Sequence, residues 1–393
     1  MKSRRRFELP NWNIPLSDLD YGQEEMDAVA RVLRSKWLSM GPEVESFETE
    51  FAALQGVRYA LAVSSATAGL HLAYLATEIG PGDEVIQPAL NFVAAANMTI
   101  ACGATPIFSD IISLAEPTID PAKVADLVTP RTKAVVVMHY GGNLCRMAEL
   151  LTLCRKRNIS LIEDACHAVG ARYHDALGRS PHGTMAGSIG EIGTFSFFAN
   201  KNIVTGEGGM VVTNREDLAT RARLLRSHGM TSLTWDRHRG HASTYGVVAH
   251  GYNYRLDELH AALGREQLKK LASNNERRRK LRYSYKTAID SLDGWLIPFG
   301  GCIEASSGHI MVAVAPTPEA RGRATKSLRE AAVQFSMHYP CIADFEAFVQ
   351  WRTQPLPVTR EFVSRAITLP LYPTMAESDP ARVCELIGAP HGF

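Results

Sequence analysis

A repeated pattern of short apolar runs and longer helical segments constrains the fold of this chain more than any other feature. The run Ala134–His139 (AVVVMH) is almost continuously apolar, which is typical of a strand buried on both faces of a mostly parallel sheet. Runs of this kind predict seven strands: Tyr59–Val63, Glu84–Gln87, Thr105–Ser109, Ala134–His139, Ser160–Glu163, Gly193–Phe198 and Gly209–Thr213. Helical spacing occurs between them over Thr67–Ile79, Phe92–Ala101, Met147–Lys156 and Asp217–Arg226. The alternation predicts a three-layer α/β domain around a mostly parallel, seven-stranded sheet.

The last third of the chain has a different character, which predicts a second, smaller domain. The chain has 393 residues, whereas a single hydrophobic core stops growing at about 250–300 residues. From Leu256 the apolar residues follow helical spacing, and a basic stretch extends this pattern to about Thr287. We therefore expect a large domain over residues 1–255, followed over residues 256–393 by a linking helix and a small α+β domain. The Gly-, His- and Ser-rich segment Tyr173–Ser188 is predicted to be a loop.

The charge balance and the cysteines exclude several classes of protein. Lys and Arg number 42 and Asp and Glu number 41, so the chain lacks the basic excess of a nucleic-acid or membrane-surface binder. No apolar stretch approaches the roughly 20 residues of a transmembrane helix. The N-terminus is basic but continues into Glu8 and Pro10, so we do not expect a secretion signal. The seven scattered cysteines form no C-x-x-C pair, which is typical of a reduced, cytoplasmic protein without a metal site.

Three loops at the carboxyl ends of predicted strands carry the chemistry, because ligands bind at that edge of a parallel sheet. The first loop, Ser64–Leu70 (SSATAGL), places small hydroxyl residues at the start of a helix. The free N–H groups of a helix N-terminus bind anions such as phosphate. This loop, which includes Ser65, is therefore a candidate phosphate-binding loop, and the alternative is an ordinary helix cap.

The second loop contains Asp164 and His167. Asp164 ends an apolar run, and a partly buried carboxylate requires a cationic or hydrogen-bonding partner. A protonated pyridine nitrogen is such a partner, and keeping it protonated turns the ring into an electron sink. His167 is placed to hydrogen-bond another edge of the same ring. The alternative is that Asp164 caps a helix and that His167 is an ordinary core histidine.

The third loop begins at Ser196 and contains Lys201, directly after the apolar run GTFSFF and before the turn Thr205–Gly209. Most lysines are solvated surface charges. A lysine held between buried strands is less easily charged, however, and becomes available as an amine nucleophile for a Schiff base. The three loops together supply a phosphate cradle, a carboxylate for a ring nitrogen and an amine for an aldehyde. Pyridoxal 5′-phosphate (PLP) is the cofactor that requires these parts.

The motifs around these residues resemble the DegT/DnrJ/EryC1/StrS family of PLP-dependent sugar aminotransferases, which have the fold-type I, aspartate aminotransferase-like architecture. The similarity covers nearly the whole chain. The matching stretches are SKWLSMGPEVESFE (35–48), SSATAGLHLA (64–73), GDEVIQPALNFVAAANMTIACGATPIFSDI (82–111), EDACHAVGA (163–171), GEIGTFSFFANKNIVTGEGGMVVTN (190–214), GYNYRLDELHAALGREQL (251–268), MHYP (337–340) and LPLYP (369–373).

The resemblance implies a role for each residue around the cofactor ring. It implies that Lys201 forms the Schiff base with PLP and later moves the proton between the cofactor and substrate carbons. Asp164 is implied as the partner of the pyridine nitrogen, and His167 as a neighbour of the ring hydroxyl. Phe92 is implied as the aromatic that stacks on the ring, and the alternative for it is an ordinary core aromatic.

The resemblance also implies a homodimer with shared active sites. The phosphate would be held by Ala66, Thr67 and Ser196, together with Asn253 from the second subunit. A monomer would then have an incomplete phosphate site, so we expect an obligate homodimer.

Substrate specificity is expected in the segments that vary most among relatives. By analogy with the family, Trp37 and His338 are expected to line the acceptor pocket. The insert Met230–His250 is rich in Arg, His and aromatic residues, which suits an anionic or sugar ligand, and the alternative is a solvated loop. The chain departs from the family at Phe198, where many relatives have histidine. This change puts local substrate or phosphate contacts in doubt.

The implied reaction is a transamination in two half-reactions. A donor such as L-glutamate gives its amine to the cofactor, which then delivers it to a keto sugar, usually on a nucleotide carrier. Three alternatives stay open: a pyridoxamine-dependent deoxysugar dehydratase, a cofactor-binding sensor without catalysis, and a transaminase for a keto-cyclitol or a keto acid sugar such as an octulosonate. Lys201 counts against the dehydratase, because some related dehydratases have histidine there.

Overall fold

Seven strands form the central sheet of the large domain. The computed structural model describes residues 12–173, 183–232, 235, 238, 240 and 244–388. The strands are β1 Tyr59–Val63, β2 Glu84–Pro88, β3 Thr105–Ser109, β4 Thr132–Met138, β5 Ser160–Asp164, β6 Ile192–Ser196 and β7 Gly209–Thr213. Their order is β1-β7-β6-β5-β4-β2-β3, in which β7 runs antiparallel to β1 and β6 and the other pairs are parallel. The predicted mostly parallel, seven-stranded sheet is confirmed.

Helices cover both faces of this sheet. They are α1 Gln23–Ser35, α2 Pro42–Gln55, α3 Ala66–Ala76, α4 Ala94–Ala101, α5 Pro121–Leu127, α6 Met147–Arg157 and α7 Glu216–Arg226. Strand β4 explains the continuous apolar runs of the sequence: Val136 packs with α3 and α7 on one face, whereas Val135 and Val137 pack with α5 and α6 on the other. Because both faces are covered, alternation of apolar and polar residues is absent from this strand.

A long helix links the two domains. Helix α8 spans Glu258–Ile289. The preceding residue, Asp257, caps it, since its side chain accepts a hydrogen bond from the His260 N–H. Its first half packs against α1 and α2, and its second half enters the core of the small domain. The small domain contains β8 Met311–Val314, α9 Pro318–Glu330, α10 Pro357–Arg365, β9 Ala366–Leu369 and α11 Asp379–Gly388.

The first described residues pack on this small domain. Ile14 accepts a hydrogen bond from the Gln334 N–H at 2.9 Å, and Leu16 accepts one from the Leu371 N–H at 3.1 Å. Ile14 is buried in the small-domain core. These first described residues therefore pack against the last third of the chain.

Strand β6 and helix α4 are shorter than the sequence suggested. Strand β6 ends at Ser196, because the chain turns there and the Ser196 hydroxyl accepts a hydrogen bond from the Phe198 N–H at 3.3 Å. Helix α4 begins at Ala94, since the Asn91 side chain accepts from the Phe92 N–H and holds a turn before the helix. The predicted loop Tyr173–Ser188 lies partly outside the described residues. Within the described part of the chain, no helix has both the length and the apolarity to cross a membrane.

Gly264 of α8 provides a test of how tightly the linking helix is packed. A Cβ atom there would come within 2.6 Å of the Phe47 ring. That ring is enclosed by Phe51 and Phe197, at centroid distances of 6.1 and 5.3 Å, and cannot easily move. Ala is normally preferred to Gly inside a helix by about 1 kcal/mol. We nevertheless expect Gly264→Ala to lower the free energy of unfolding by about 1–3 kcal/mol, through overpacking.

The matched control is Gly322→Ala in α9, where no atom lies within 4 Å of the new Cβ. It is expected to stabilise the protein by about 0.5–1 kcal/mol. Urea unfolding of the two variants measures the difference. Equal stabilisation by both substitutions would show that α2 and α8 are loosely packed.

Candidate active site

The register of the sheet brings the predicted loops to one edge. Asp164, the last residue of β5, pairs with Met138 on one side and Thr194 on the other. Ser196 at the end of β6 and Val63 at the end of β1 both lie opposite Gly209, where the antiparallel strand β7 begins. The loops that follow β1, β5 and β6 therefore meet although they are distant in sequence.

A cavity of about 330 Å³ opens at this edge, which is a volume suited to a small ligand. Nine predicted site residues line it: Ser65, Ala66, Thr67, Phe92, Asp164, His167, Ser196, Lys201 and His338. The small domain contributes His338 and Tyr339, so the cavity lies between the domains. A larger cavity of about 850 Å³ opens at the opposite edge of the sheet, but none of the predicted site residues line it.

The N-terminus of α3 forms one end of the cavity. The Ser65 hydroxyl accepts a hydrogen bond from the Ala68 N–H at 3.1 Å and caps the helix. The N–H groups of Ala66 and Thr67 belong to the first turn, which has no partners within the helix. Gly209 makes room for this turn, since a Cβ atom there would lie 2.8 Å from the Ala66 nitrogen. The N-terminus of α3, with Gly209 next to its first turn, therefore forms a site that can bind an anion, which we call the anion cradle.

Asp164 lies in the wall of the cavity and is only 4% exposed. Its Oδ1 accepts a hydrogen bond from the Cys166 N–H at 3.2 Å. Burial raises the pKa of the Asp164 carboxyl, while the hydrogen bonds from Cys166 and the charge of Lys201 act in the opposite direction. A cationic group of a ligand in the cavity would stabilise the ionised form of this carboxylate.

Lys201 lies on the turn that follows β6. The Lys201 N–H donates to the Phe198 carbonyl at 2.9 Å, and the Thr205 N–H donates to the Phe197 carbonyl at 2.9 Å. These bonds hold the lysine on a short, closed turn between two buried strands. Burial lowers the pKa of the Lys201 amine, with Cys166 and Asp164 opposing that change. The amine is therefore easier to deprotonate than a surface lysine.

His167 has partners on both ring nitrogens. The Gly141 N–H donates to Nδ1 at 3.3 Å, and Nε2 lies 2.7 Å from the Tyr339 hydroxyl. Burial lowers the pKa of His167 well below its ordinary value, so the ring is neutral. Because Nδ1 accepts, the ring hydrogen is on Nε2 and is donated to the Tyr339 oxygen. The Tyr339 hydroxyl is then the group of this pair that has a hydrogen left for a ligand.

Aromatic and amide side chains complete the cavity wall. Phe92 and Phe198 are 53% and 46% exposed, which is unusual for phenylalanine and leaves two apolar surfaces open to a ligand. Asn91 is 1% exposed, and its Nδ2 has no partner within the described residues. The same holds for Oδ1 of Asn200. Sequence reasoning missed Asn91, Asn200 and Tyr339, and only the MHYP motif gave a signal for Tyr339.

Trp37 and Asn253 do not line the cavity of their own chain. The Trp37 ring contacts Trp235 and His238 of the segment Met230–His250, at centroid distances of 4.8 and 4.5 Å. Asn253 is exposed and pairs with Ser227 in an isolated bridge.

Comparison with known proteins identifies the family. Residues 19–388 match the DegT/DnrJ/EryC1/StrS aminotransferase family, and the chain belongs to it. The chain is 38% identical to the spore coat polysaccharide biosynthesis protein SpsC of Bacillus subtilis (strain 168), over 98% of each chain. The aminotransferase TlmJ of Streptoalloteichus hindustanus superposes with a TM-score of 0.85 at 32% identity, covering 96% of this chain and 97% of that one. Spr1654 of Streptococcus pneumoniae, solved in PLP and PMP forms, gives 0.87 at 25% identity, covering 96% and 98%.

These matches confirm the predicted family, fold class and enzyme class, and they make the chain a PLP-dependent aminotransferase. The cavity fits this cofactor. It brings together a helix N-terminus that can bind an anion, a buried carboxylate for which the described residues provide no cationic hydrogen-bond partner, a lysine and an exposed phenylalanine ring.

The role of Gly209 next to the anion cradle can be tested by substitution. We expect Gly209→Ala to weaken PLP binding by about tenfold or more, since the new Cβ would displace the Ala66 N–H and a tenfold change requires only about 1.4 kcal/mol. Titration of the apoprotein with PLP measures the affinity, and Gly322→Ala is the control. Unchanged affinity in Gly209→Ala would contradict the assignment of the cradle.

Proposed function

We propose that this protein transfers an amino group from an amino acid donor such as L-glutamate to a keto sugar, carried on a nucleotide. The observation that carries the proposal is the convergence of Lys201, Asp164 and the α3 N-terminus on one cavity of about 330 Å³. A sugar acceptor is supported by the relative SpsC, whose name refers to polysaccharide biosynthesis. The seven cysteines are all free, which supports the proposed cytoplasmic location.

Lys201 is proposed as the amine that bonds the PLP aldehyde. The cofactor supplies an electron sink for the charge left when a proton leaves a substrate carbon. When its amine is no longer bonded to the cofactor, Lys201 Nζ would accept that proton and return it to the neighbouring carbon. The lowered pKa of Lys201 supports this role, because a general base works best when its pKa lies near the working pH.

The other cofactor contacts follow from the cavity wall. Asp164 would keep the ring nitrogen protonated, since a cation beside it stabilises its ionised form. The phosphate would lie at the N–H groups of Ala66 and Thr67 and the Ser196 hydroxyl. Phe92 would cover one face of the ring, because its exposed side chain faces the cavity.

Part of the cavity wall consists of uncharged hydrogen-bonding groups. Asn91 and Asn200 have unpartnered amide atoms within the described residues, and Tyr339 has a hydrogen to donate. Burial, with a smaller effect of Lys201, lowers the pKa of His338 to about 4, so this histidine is uncharged near neutral pH. Neutral donors and acceptors of this kind suit the hydroxyl groups of a sugar.

A homodimer is part of the proposal. Asn253 is exposed and does not line the cavity of its own chain. Nearby Tyr245, Val247 and Val248 are 55–66% exposed, which leaves an apolar surface for a second subunit. Asn253 is therefore proposed to complete the phosphate site of the partner.

Nitrogen transfer tests the proposed reaction. The enzyme is incubated with ¹⁵N-labelled L-glutamate and a panel of nucleotide-linked keto sugars, and the products are analysed by mass spectrometry. We expect label in one amino sugar and formation of 2-oxoglutarate. Loss of water without label transfer would instead indicate a dehydratase, and label transfer only to a keto-cyclitol or keto acid sugar would change the acceptor.

Lys201→Ala is the active-site control in the same assay. It is expected to lose the visible absorbance of the covalently held cofactor and to slow turnover by about 10³-fold or more, because it removes both the amine and the base. Lys133→Ala, which alters a lysine at the opposite edge of the sheet, should keep both properties. Full activity of Lys201→Ala would refute the proposed role of the lysine.

Mixing two inactive variants tests the shared site. Lys201→Ala and Asn253→Ala should each have low activity, but a mixed dimer contains one site in which both residues are intact. Random reassociation of equal amounts should therefore restore about a quarter of wild-type activity, since half the dimers are mixed and each has one good site of two. Recovery is measured after mixing under conditions that exchange subunits. No recovery despite verified exchange would place Asn253 outside the partner's site.

A further inference from the structure

Lys201 has one hydrogen-bond partner for its amine within the described residues, and this partner is a histidine of the small domain. The Nζ atom lies 3.5 Å from Nε2 of His309, which precedes β8. His309 is buried, and its ring lies 4.2 Å from the ring of His167. Sequence reasoning missed His309, because no strand end or motif marks it.

The hydrogen-bond network fixes which nitrogen of His309 carries the hydrogen. The Asn202 Nδ2 donates to the Ser307 carbonyl at 2.9 Å and to Oδ1 of Asn275 at 2.7 Å. A carbonyl only accepts, so this side of the Asn202 amide is the NH₂ group, and its Oδ1 faces His309 Nδ1 at 3.0 Å. His309 Nδ1 must then donate. In the neutral ring, Nε2 therefore has a lone pair that points at Lys201.

The orientation of Asn275 is fixed in the same way. Its Nδ2 donates to the Val169 carbonyl at 3.0 Å, which leaves Oδ1 as the acceptor for Asn202. In this series of hydrogen bonds, the Ser307 carbonyl therefore fixes the orientation of the Asn202 amide, and the Val169 carbonyl fixes that of Asn275. Burial also lowers the pKa of His309 well below its ordinary value, which is consistent with a neutral ring. The series joins helix α8, the lysine turn and the small domain.

We propose that His309 is a positioning residue for Lys201: its Nε2 lone pair accepts a hydrogen from Nζ whenever the amine is not bonded to the cofactor. The amine is then held at the cavity wall, ready to attack the aldehyde or to move a proton. The inference rests on the proposed role of Lys201. It assigns no contact between His309 and the substrate.

Cofactor capture provides a readout that is independent of turnover. In this step the Lys201 nitrogen bonds the aldehyde carbon of PLP, and the aldehyde oxygen leaves as water. We expect His309→Leu to slow capture by about tenfold or more, the effect of losing one hydrogen bond to a buried amine. His309→Gln, whose side-chain oxygen can accept from Nζ, is the matched control and should restore the rate to within about threefold. Capture is followed by stopped-flow absorbance after mixing apoprotein with PLP.

The affinity for pyridoxamine 5′-phosphate separates positioning from structure, because this form has no aldehyde to capture. It should change by no more than about twofold in both variants, since they leave the cradle and Asp164 intact. His309→Phe keeps a ring without the acceptor nitrogen, and it replaces the Leu variant if that protein does not fold.

Two results would overturn the inference. The first is capture of PLP by His309→Leu or His309→Phe at the wild-type rate, and the second is an equal decrease in the capture rate and in the affinity for pyridoxamine 5′-phosphate. Lys201→Ala is measured in parallel. Covalent capture of PLP by Lys201→Ala would refute the proposed function itself. If Lys201→Ala loses covalent capture but His309→Leu captures PLP at the wild-type rate, only the role of His309 is refuted.

Discussion

The burial of two ionisable side chains, Asp164 and Lys201, at one edge of the sheet is the constraint on which the site depends. Burial moves the pKa of the carboxyl up and that of the amine down, so each group is pushed toward its neutral form. Neither change favours folding, because an enclosed charge without a strong partner is costly. Such an arrangement persists when a ligand supplies what the protein omits. In the proposed function, the ligand supplies a cation to Asp164 and a carbonyl carbon to Lys201.

Rigid elements of the fold hold both buried side chains in place. Asp164 belongs to a central strand, and Lys201 is held by the backbone hydrogen bonds of its turn. The antiparallel strand β7 has a specific part in this, since its first residue, Gly209, allows the α3 N-terminus to approach the end of β6. The anion cradle and the lysine turn are therefore positioned by the same strand. A change in the register of β7 would displace both.

The sequence predicted those parts of the site that lie at strand ends in the large domain. Asp164 and Lys201 follow apolar runs, and Ser65 precedes a helix, so local patterns were sufficient to locate them. Tyr339 and His309 do not lie at the carboxyl ends of strands in the large-domain sheet, and only tertiary folding brings Tyr339 to the cavity and His309 to Lys201. The predicted end of strand β6 lies two residues too far along the chain, because Phe197 and Phe198 are apolar although the chain already turns at Ser196. Composition alone does not indicate that Phe198 is exposed.

The two domains contribute different chemistry to the cavity. The groups proposed to bind a phosphate, a ring nitrogen and an aldehyde, namely the α3 N-terminus, Asp164 and Lys201, all come from the large domain, next to strand ends whose positions the sheet fixes. The small domain adds His338 and Tyr339 to the cavity wall and places His309 against Lys201. All three groups accept or donate hydrogen bonds without carrying charge near neutral pH. Since His309 contacts Lys201 and Tyr339 contacts His167, the small domain packs directly against residues of the cofactor site. A displacement of the small domain would therefore alter the environment of the lysine as well as the wall of the cavity.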